Sequence, residues 1–356
     1  MKILLLPKYH NEGPSSRYRL YNYIEYFKKR GHTVDVKPLL FDGYVKNLYA
    51  KRKNSQIKIA RDIIKRIFFL LAHKKEYDVL IIEKELFTNI PYFIERIVLK
   101  GATYTLDYDD AISINYKKSK LKSFFFKNKI DKLTKNASAV TVGNKWYWNE
   151  LVYGKLWYLP TVVDLEAYKP DDAEEHPKGT PEGPPIVAWI GSPSTVHYLD
   201  TIANAFKKLA STYDYILRVI GGDFLLEGVK VECVKWSKDT EFKLLHESDI
   251  GIMPLLDTIW EKGKCGFKLI QYMASGIPTI ASPEPANEEI TVQGTTGFIA
   301  SNEDEWVKYL SILIEDRTLR EKMGTAARKR AEECYSYQVW GDKFVSLVES
   351  LKGKML

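Results

Sequence analysis

The chain has 356 residues, 45% of them hydrophobic and 28% charged, with a formal net charge of +7. That length excludes a single small domain and allows two, each with its own core, while no long uncharged stretch is present to cross a bilayer as a helix. Cys233, Cys265 and Cys334 are odd in number and widely spaced, which excludes a disulfide framework and a zinc site and suggests a reducing cytoplasm.

Residues 3–7 form a first apolar run, too short for a secretory leader, and are read as a buried strand. A helical pattern over 17–30 and a second apolar run at 33–37 follow, and further runs lie at 78–83 and 139–143. This is the cadence of a parallel sheet flanked by helices. In open α/β sheets ligands collect at the carboxyl ends of strands, where turns feed helix N-termini. The first such turn holds Gly13, which lets backbone approach a ligand, and Arg17, which can reach an anion; the same residues also suffice merely to start a helix.

Charge is unevenly spread: residues 1–170 contain 32 Lys and Arg against 17 Asp and Glu, and the remainder 21 against 29. In 46–75 and 117–135 basic residues interleave with apolar ones. Two readings stand for these stretches: an anionic membrane surface as partner, or amphipathic helices with lysine-rich solvent faces. No motif points to nucleic acid. Asp107, Asp109 and Asp110 put three carboxylates just after an expected strand. Contact with acceptor hydroxyls, a loop or cap role, and an Asp-x-Asp metal site are the three readings, the first preferred.

Residues 169–185, rich in Pro, Gly and acid, read as a linker, after which the alternation restarts with runs at 186–190, 215–220, 229–231, 249–254 and 278–282. The expected fold class is therefore α/β: two Rossmann-like domains, 1–168 plus 338–356 and 186–337. Turns at Gly191-Ser192 and at Gly222 lie at strand ends. The most informative block runs from Pro254 through Gly263, Lys264, Cys265, Gly266, Phe267 and Lys268 to Gln271, a strand, a glycine-rich loop and a helix. Phe267, Ile270 and Ala274 would share an apolar face, with Lys268 and Gln271 on another. Lys264, Lys268 and the free N–H groups suit a diphosphate, and Gln271 a ribose. Trp236 stands where it could border the base, or simply fill the core.

Taken together, these residues resemble the retaining GT-B glycosyltransferases of glycosyltransferase family 4, also called group 1. The likeness is most specific at 248–255, 263–282, 287–290 and 294–299. It implies a nucleotide-sugar donor on the second domain, a glycan or lipid-linked acceptor on the first, and a final helix crossing back to the first. It also implies retention at the anomeric carbon with neither metal nor cofactor, the lysines stabilising the leaving diphosphate while Asp109 and Asp110 orient the acceptor. UDP-sugars are the first expectation for the donor and GDP-sugars the second. Polysaccharide or lipopolysaccharide synthesis, in the cytoplasm or at the inner membrane face, is the expected setting. The pattern departs from the family in two places. Its two glutamates correspond to Gly263 and Gln271, and the basic pair expected after the first strand of the second domain is absent from 191–197. The alternatives are a noncatalytic sugar-nucleotide-binding subunit and a nucleotide-sugar 2-epimerase.

Overall fold

The computed structural model describes residues 1–50, 52–117, 124–126, 128–151, 153–168 and 183–352. Most of the expected linker and part of the basic segment 117–135 lie outside them. The chain divides into two compact units: Met1–Thr161 with Gly263–Cys265 and Trp340–Leu356, and Val162–Lys262 with Gly266–Val339. The first boundary precedes the expected residue 168 because Leu165 and Tyr168 pack into the core of the second unit. The second falls at Trp340, near the expected 338, within the helix Tyr337–Glu349.

The first unit is built on a parallel sheet of β1 (Lys2–Leu6), β2 (Thr33–Val36), β3 (Val79–Glu83), β4 (Tyr104–Tyr108), β5 (Ala139–Val142) and β6 (Leu156–Tyr158). Its order is β2-β1-β3-β4-β5-β6, with Ile3 opposite Val79 and Glu83 opposite Asp107. β3, β4 and β5 are buried along their whole length, as expected of parallel strands covered on both faces. The strand order reverses between β1 and β3, which places this unit's natural ligand position beyond the ends of those strands. Asp107 lies inside β4, so only Asp109 and Asp110 follow it, a correction to the sequence reading. Phe344 of the last helix meets Tyr23 and Phe27 edge-on, and Arg30 pairs with Glu349 at 2.7 Å.

The helix Gln56–His73 carries most of the first basic-apolar segment. Arg66 and Leu70 are buried, whereas Ile57 (83% exposed), Ile64, Phe68 (68% exposed) and Leu71 share the outward side at helical spacing. The solvent face thus carries an apolar stripe with Lys58, Arg61 and Lys65 exposed alongside it. No helix among the described residues is long and apolar enough to cross a membrane.

The second unit repeats the plan with β7 (Ile186–Ile190), β8 (Ile216–Ile220), β9 (Val231–Val234), β10 (Ile250–Met253), β11 (Thr279–Ala281) and β12 (Gly297–Ile299). The order β12-β11-β10-β7-β8-β9 is again parallel, with its reversal between β7 and β10. The turns that carry Gly191, Ser192 and Pro254 leave the carboxyl ends of these two strands, where topology places a ligand.

Candidate functional site

On the second unit the site grows from β7 and β10. Gly191 follows β7, and a Cβ there would meet the Trp189 ring at 2.4 Å and Lys268 Nζ at 2.9 Å. The absence of a side chain is what lets the Lys268 ammonium lie against this turn, 4.1 Å from the Trp189 ring centroid. Ser192 caps no helical N–H but joins Ser194 at 2.8 Å, and its carbonyl accepts from Thr195. Gly222, after β8, abuts Val196, whose Cγ2 would lie 2.1 Å from an added Cβ. Pro254 is buried at the end of β10.

Gly266 sits at φ +62°, left-handed backbone that glycine adopts without strain, and opens the helix Phe267–Ala274. The first N–H groups of a helix have no intrahelical acceptor and are available to an anion. Phe267 packs half-buried on the unit's core, leaving Lys268 as the cation of the first turn. The helix starts three residues after Lys264, which is half-buried.

Gln271 departs from the expected orientation. It is 4% exposed, and its Nε2 donates to Glu241 Oε1 at 2.7 Å and to Tyr168 Oη at 3.1 Å. Trp236 Nε1 donates to the other oxygen of Glu241, and Tyr168 Oη to Oε1. The physical reason for the burial is this network: one buried carboxylate needs several donors, and the amide is one of them. A glutamate at 271 would set a second carboxylate against the first. Trp236 is thereby fixed by its indole N–H as well as by packing. Glu241 was not singled out in the sequence because it sits on another helix, Lys238–His246, far from the glycine-rich block.

Two further groups escaped the sequence reading. Asn287 Oδ1 and Glu284 Oε2 are buried without a hydrogen-bond partner. Asn287 Oδ1 would lie 3.6 Å from a Cβ on Gly266. Burial, with the charge of Asp257 nearby, pushes the Glu284 carboxyl up to about 7.

In the first unit, Gly263 and Cys265 are packed rather than open. A Cβ on Gly263 would meet the Cβ of Ala111 at 2.4 Å and its backbone N at 2.8 Å. Tyr147 Oη donates to the Gly263 carbonyl at 3.0 Å, Asn144 Nδ2 to that of Lys264 at 2.6 Å, and Cys265 Sγ to that of Asp109 at 3.1 Å. Cys265 also fills the space beside Gly143, where an added Cβ would stand 2.1 Å from its Sγ. Burial pushes its thiol well up, so it is an inert packing group.

The ends of β1, β3 and β4 carry a charged cluster. Glu83 is buried and accepts from Ser15, Ser16 and the Lys8 N–H; burial raises its pKa. Lys84 adopts φ +62°, unusual for a residue with a side chain, and brings Nζ to 3.0 Å from Asp109 and 2.5 Å from Asp110. Burial opposes the charge of Asp109, but Lys84 and Arg19 hold its carboxyl below the ordinary value. Asp107 is spoken for: Arg19 binds both its oxygens and Thr141 adds a third bond. The Asp107-Tyr108-Asp109 run therefore does not offer its carboxylates together. Among the described residues no group of three or more His, Cys, Asp or Glu is placed to hold a metal ion. Gly13 abuts Tyr9, whose Cβ would be 2.6 Å from a Cβ there, and starts the helix Pro14–Arg19. Arg17 is 7% exposed and has no ion-pair partner among the described residues; its guanidinium lies 4.8 Å from the Tyr18 ring centroid. Lys84 gave no sequence signal, since nothing in the pattern foretells a lysine in left-handed backbone.

Comparison with known proteins places this geometry. Residues 171–330 match the family of glycosyl transferases, group 1. No curated protein matches the chain in sequence. Among solved structures, sucrose-phosphate synthase from Thermosynechococcus elongatus superposes with a TM-score of 0.72 at 14% identity, covering 99% of each chain. A glycosyltransferase from Rickettsia africae reaches 0.70 at 16% identity, covering 98% of each chain. HepE of Anabaena, in complex with UDP and glucose, reaches 0.70 at 15% identity, over 98% of this chain and 100% of that one. The two six-stranded parallel sheets with their helices are those of the GT-B fold.

Proposed function

We propose that the protein, whose residues 171–330 match the group 1 glycosyl transferases, moves a sugar from a nucleotide diphosphate donor to a glycan or lipid-linked acceptor. Retention at the anomeric carbon without a metal belongs to this reading, as does a UDP-sugar ahead of a GDP-sugar; HepE, which shares the fold, binds UDP and UDP-glucose. The observation that carries it is the Lys268 ammonium lying against the Gly191 turn, one residue into a helix that opens at Gly266. Diphosphate oxygens there meet a cation and the positive end of a helix together.

Chemically, the bond between the anomeric carbon and the diphosphate oxygen breaks as the acceptor hydroxyl bonds to the same face of that carbon. The hydroxyl proton passes to the leaving phosphate oxygen. Charge on that oxygen grows toward the transition state, so Lys268 and the helix N–H groups stabilise it more than the ground state. On the first unit, Arg17, which pairs with no carboxylate among the described residues, offers a cation to an anionic ligand group. Asp109, kept ionised by Lys84, and Asp110 accept from acceptor hydroxyls. With Gly263 in place of a carboxylate, sugar hydroxyls fall to Asn287 and Glu284, whose unpartnered oxygens are available to them.

Incubation with UDP- and GDP-sugars, reading thermal shift and released nucleoside diphosphate with and without acceptor glycans, tests this. One donor class should stabilise the protein and turn over. Stabilisation without turnover would favour the noncatalytic subunit, a reading that Gly263 itself recommends, and stabilisation by neither class would overturn donor binding.

We further propose that the stripe Ile57, Ile64, Phe68 and Leu71, flanked by Lys58 and Arg61, rests on an anionic bilayer, its apolar groups entering the headgroup boundary and its cations meeting the lipid charge. Phe68→Glu, at a site too exposed to disturb the core, should weaken binding to phosphatidylserine vesicles about tenfold at low salt. Equal binding by variant and parent would sink this surface.

A further inference from the structure

The inner side of the helix Gln56–His73 lines a cavity of about 310 Å³ to which the donor site contributes nothing. His10 from the turn after β1, Lys37 from the stretch after β2, and Asp62, Lys65, Arg66 and Phe69 from the helix bound it. Arg66, 5% exposed, donates to the carbonyls of Pro7 at 2.8 Å, Lys37 at 2.6 Å and Leu86 at 3.4 Å, which ties the ends of β1 and β2 to the helix. Its Nε has no hydrogen-bond partner, and no carboxylate pairs with the guanidinium among the described residues. Asp62 accepts from Arg61 on Oδ1, while its Oδ2 is buried and unpartnered. Among the described residues the side chains of His10, Lys37 and Lys65 form no ion pair; Lys37 lies 5.1 Å from the Phe69 ring centroid.

The wall is thus unbalanced. Three cations face one carboxylate, and burial pulls the Arg66 guanidinium down to about 9 in spite of Glu83, Tyr21 and Glu95 at longer range. A buried cation satisfied only by carbonyls gains from a ligand that brings negative charge. Asp62 Oδ2 has the opposite need, for a donor, which a hydroxyl supplies and a bare oxyanion does not. A pocket of this volume, part apolar and part polar, is in the range that holds a small ligand. An anionic sugar meets all of these demands at once.

We propose that this cavity is an acceptor subsite for a sugar bearing a phosphate or a carboxylate, with Arg66, Lys37 and Lys65 taking the oxyanion and Asp62 accepting from a ring hydroxyl. The inference rests on the glycosyl-transfer reading above and adds the acceptor's chemical class to it. Arg66 also braces the fold, so the test uses the Lys37→Gln/Lys65→Gln double variant. The full chain, saturated with UDP, is titrated with glucose 6-phosphate, glucuronate and neutral methyl glucoside. At least one charged probe should bind about tenfold tighter than methyl glucoside, and the double variant should lose that advantage. Which probe binds tells phosphate from carboxylate. Equal binding of all three, or undiminished charged-probe binding by the variant, overturns the subsite. UDP titrated alone separates the failures: loss of UDP binding counts against the donor reading, whereas UDP binding without charged-sugar preference counts against this cavity.

Discussion

Replacing Lys268 by alanine is expected to lower turnover by about two to three orders of magnitude, the usual cost of removing one preorganised group that meets developing charge. The ammonium lies against the Gly191 turn and over the Trp189 ring, at the first turn of the helix Phe267–Ala274. Its electrostatic contribution is greatest when the diphosphate departs, so kcat should fall more than KM rises. Lys268 is only half-buried at its helix start. The melting temperature of the variant should therefore stay close to that of the parent. Donor turnover under saturating acceptor, followed beside a thermal scan, makes the check. A variant that is stable and fully active would remove Lys268 from the mechanism.

Lys84→Met should instead damage the fold. The ammonium stands between Asp109 and Asp110, with buried Glu83 adjacent in the chain. Removing one partner of a buried charge set leaves the others uncompensated, at a cost of about 3–5 kcal/mol. The pH dependence distinguishes this cause from simple loss of packing. In the parent, Asp109 has a depressed pKa, so its contribution is present above the unfolded value of about 3.9 and lost as pH falls through the lower folded value. In the variant the uncompensated carboxyls would have raised pKa values. Their protonated forms fit the fold below about pH 4, and stability drains away as pH rises through the folded values. The deficit relative to the parent should thus be small near pH 4 and grow toward neutrality. Denaturant unfolding at both ends of that range measures it, and a deficit independent of pH would refute the electrostatic account.

The doubled α/β plan was legible because it rests on short apolar runs with turns at their ends: β2, β3, β5, β7, β8, β10 and β11 fall within the expected runs, and β1 begins one residue before its own. β6 and β12, each of three residues, are too short to announce themselves by periodicity. Glycine and charge at strand ends singled out Gly191 and Lys268, which the structure sets side by side, and Gly266, which opens the same helix. What the pattern could not supply was the partner of each polar group. Gln271 has a polar side chain at a helical position that reads as a surface, yet it turns inward because Glu241, thirty residues earlier in the chain, waits there. Arg66 likewise reads as one more basic residue of an amphipathic helix, and tertiary contacts with three carbonyls bury it while neighbouring Phe68 is left outside.

The tight seat of Gly263 also bears on how this sequence can change. Because any Cβ at that position collides with the Ala111 backbone, a single codon exchange to glutamate would meet a steric barrier before it could offer a carboxylate to a sugar. Ala111 and its strand-end turn would have to shift first. Descendants of this chain are therefore held by epistasis on the path they already occupy, and homologues with an acidic residue at 263 should show a compensating displacement at 111.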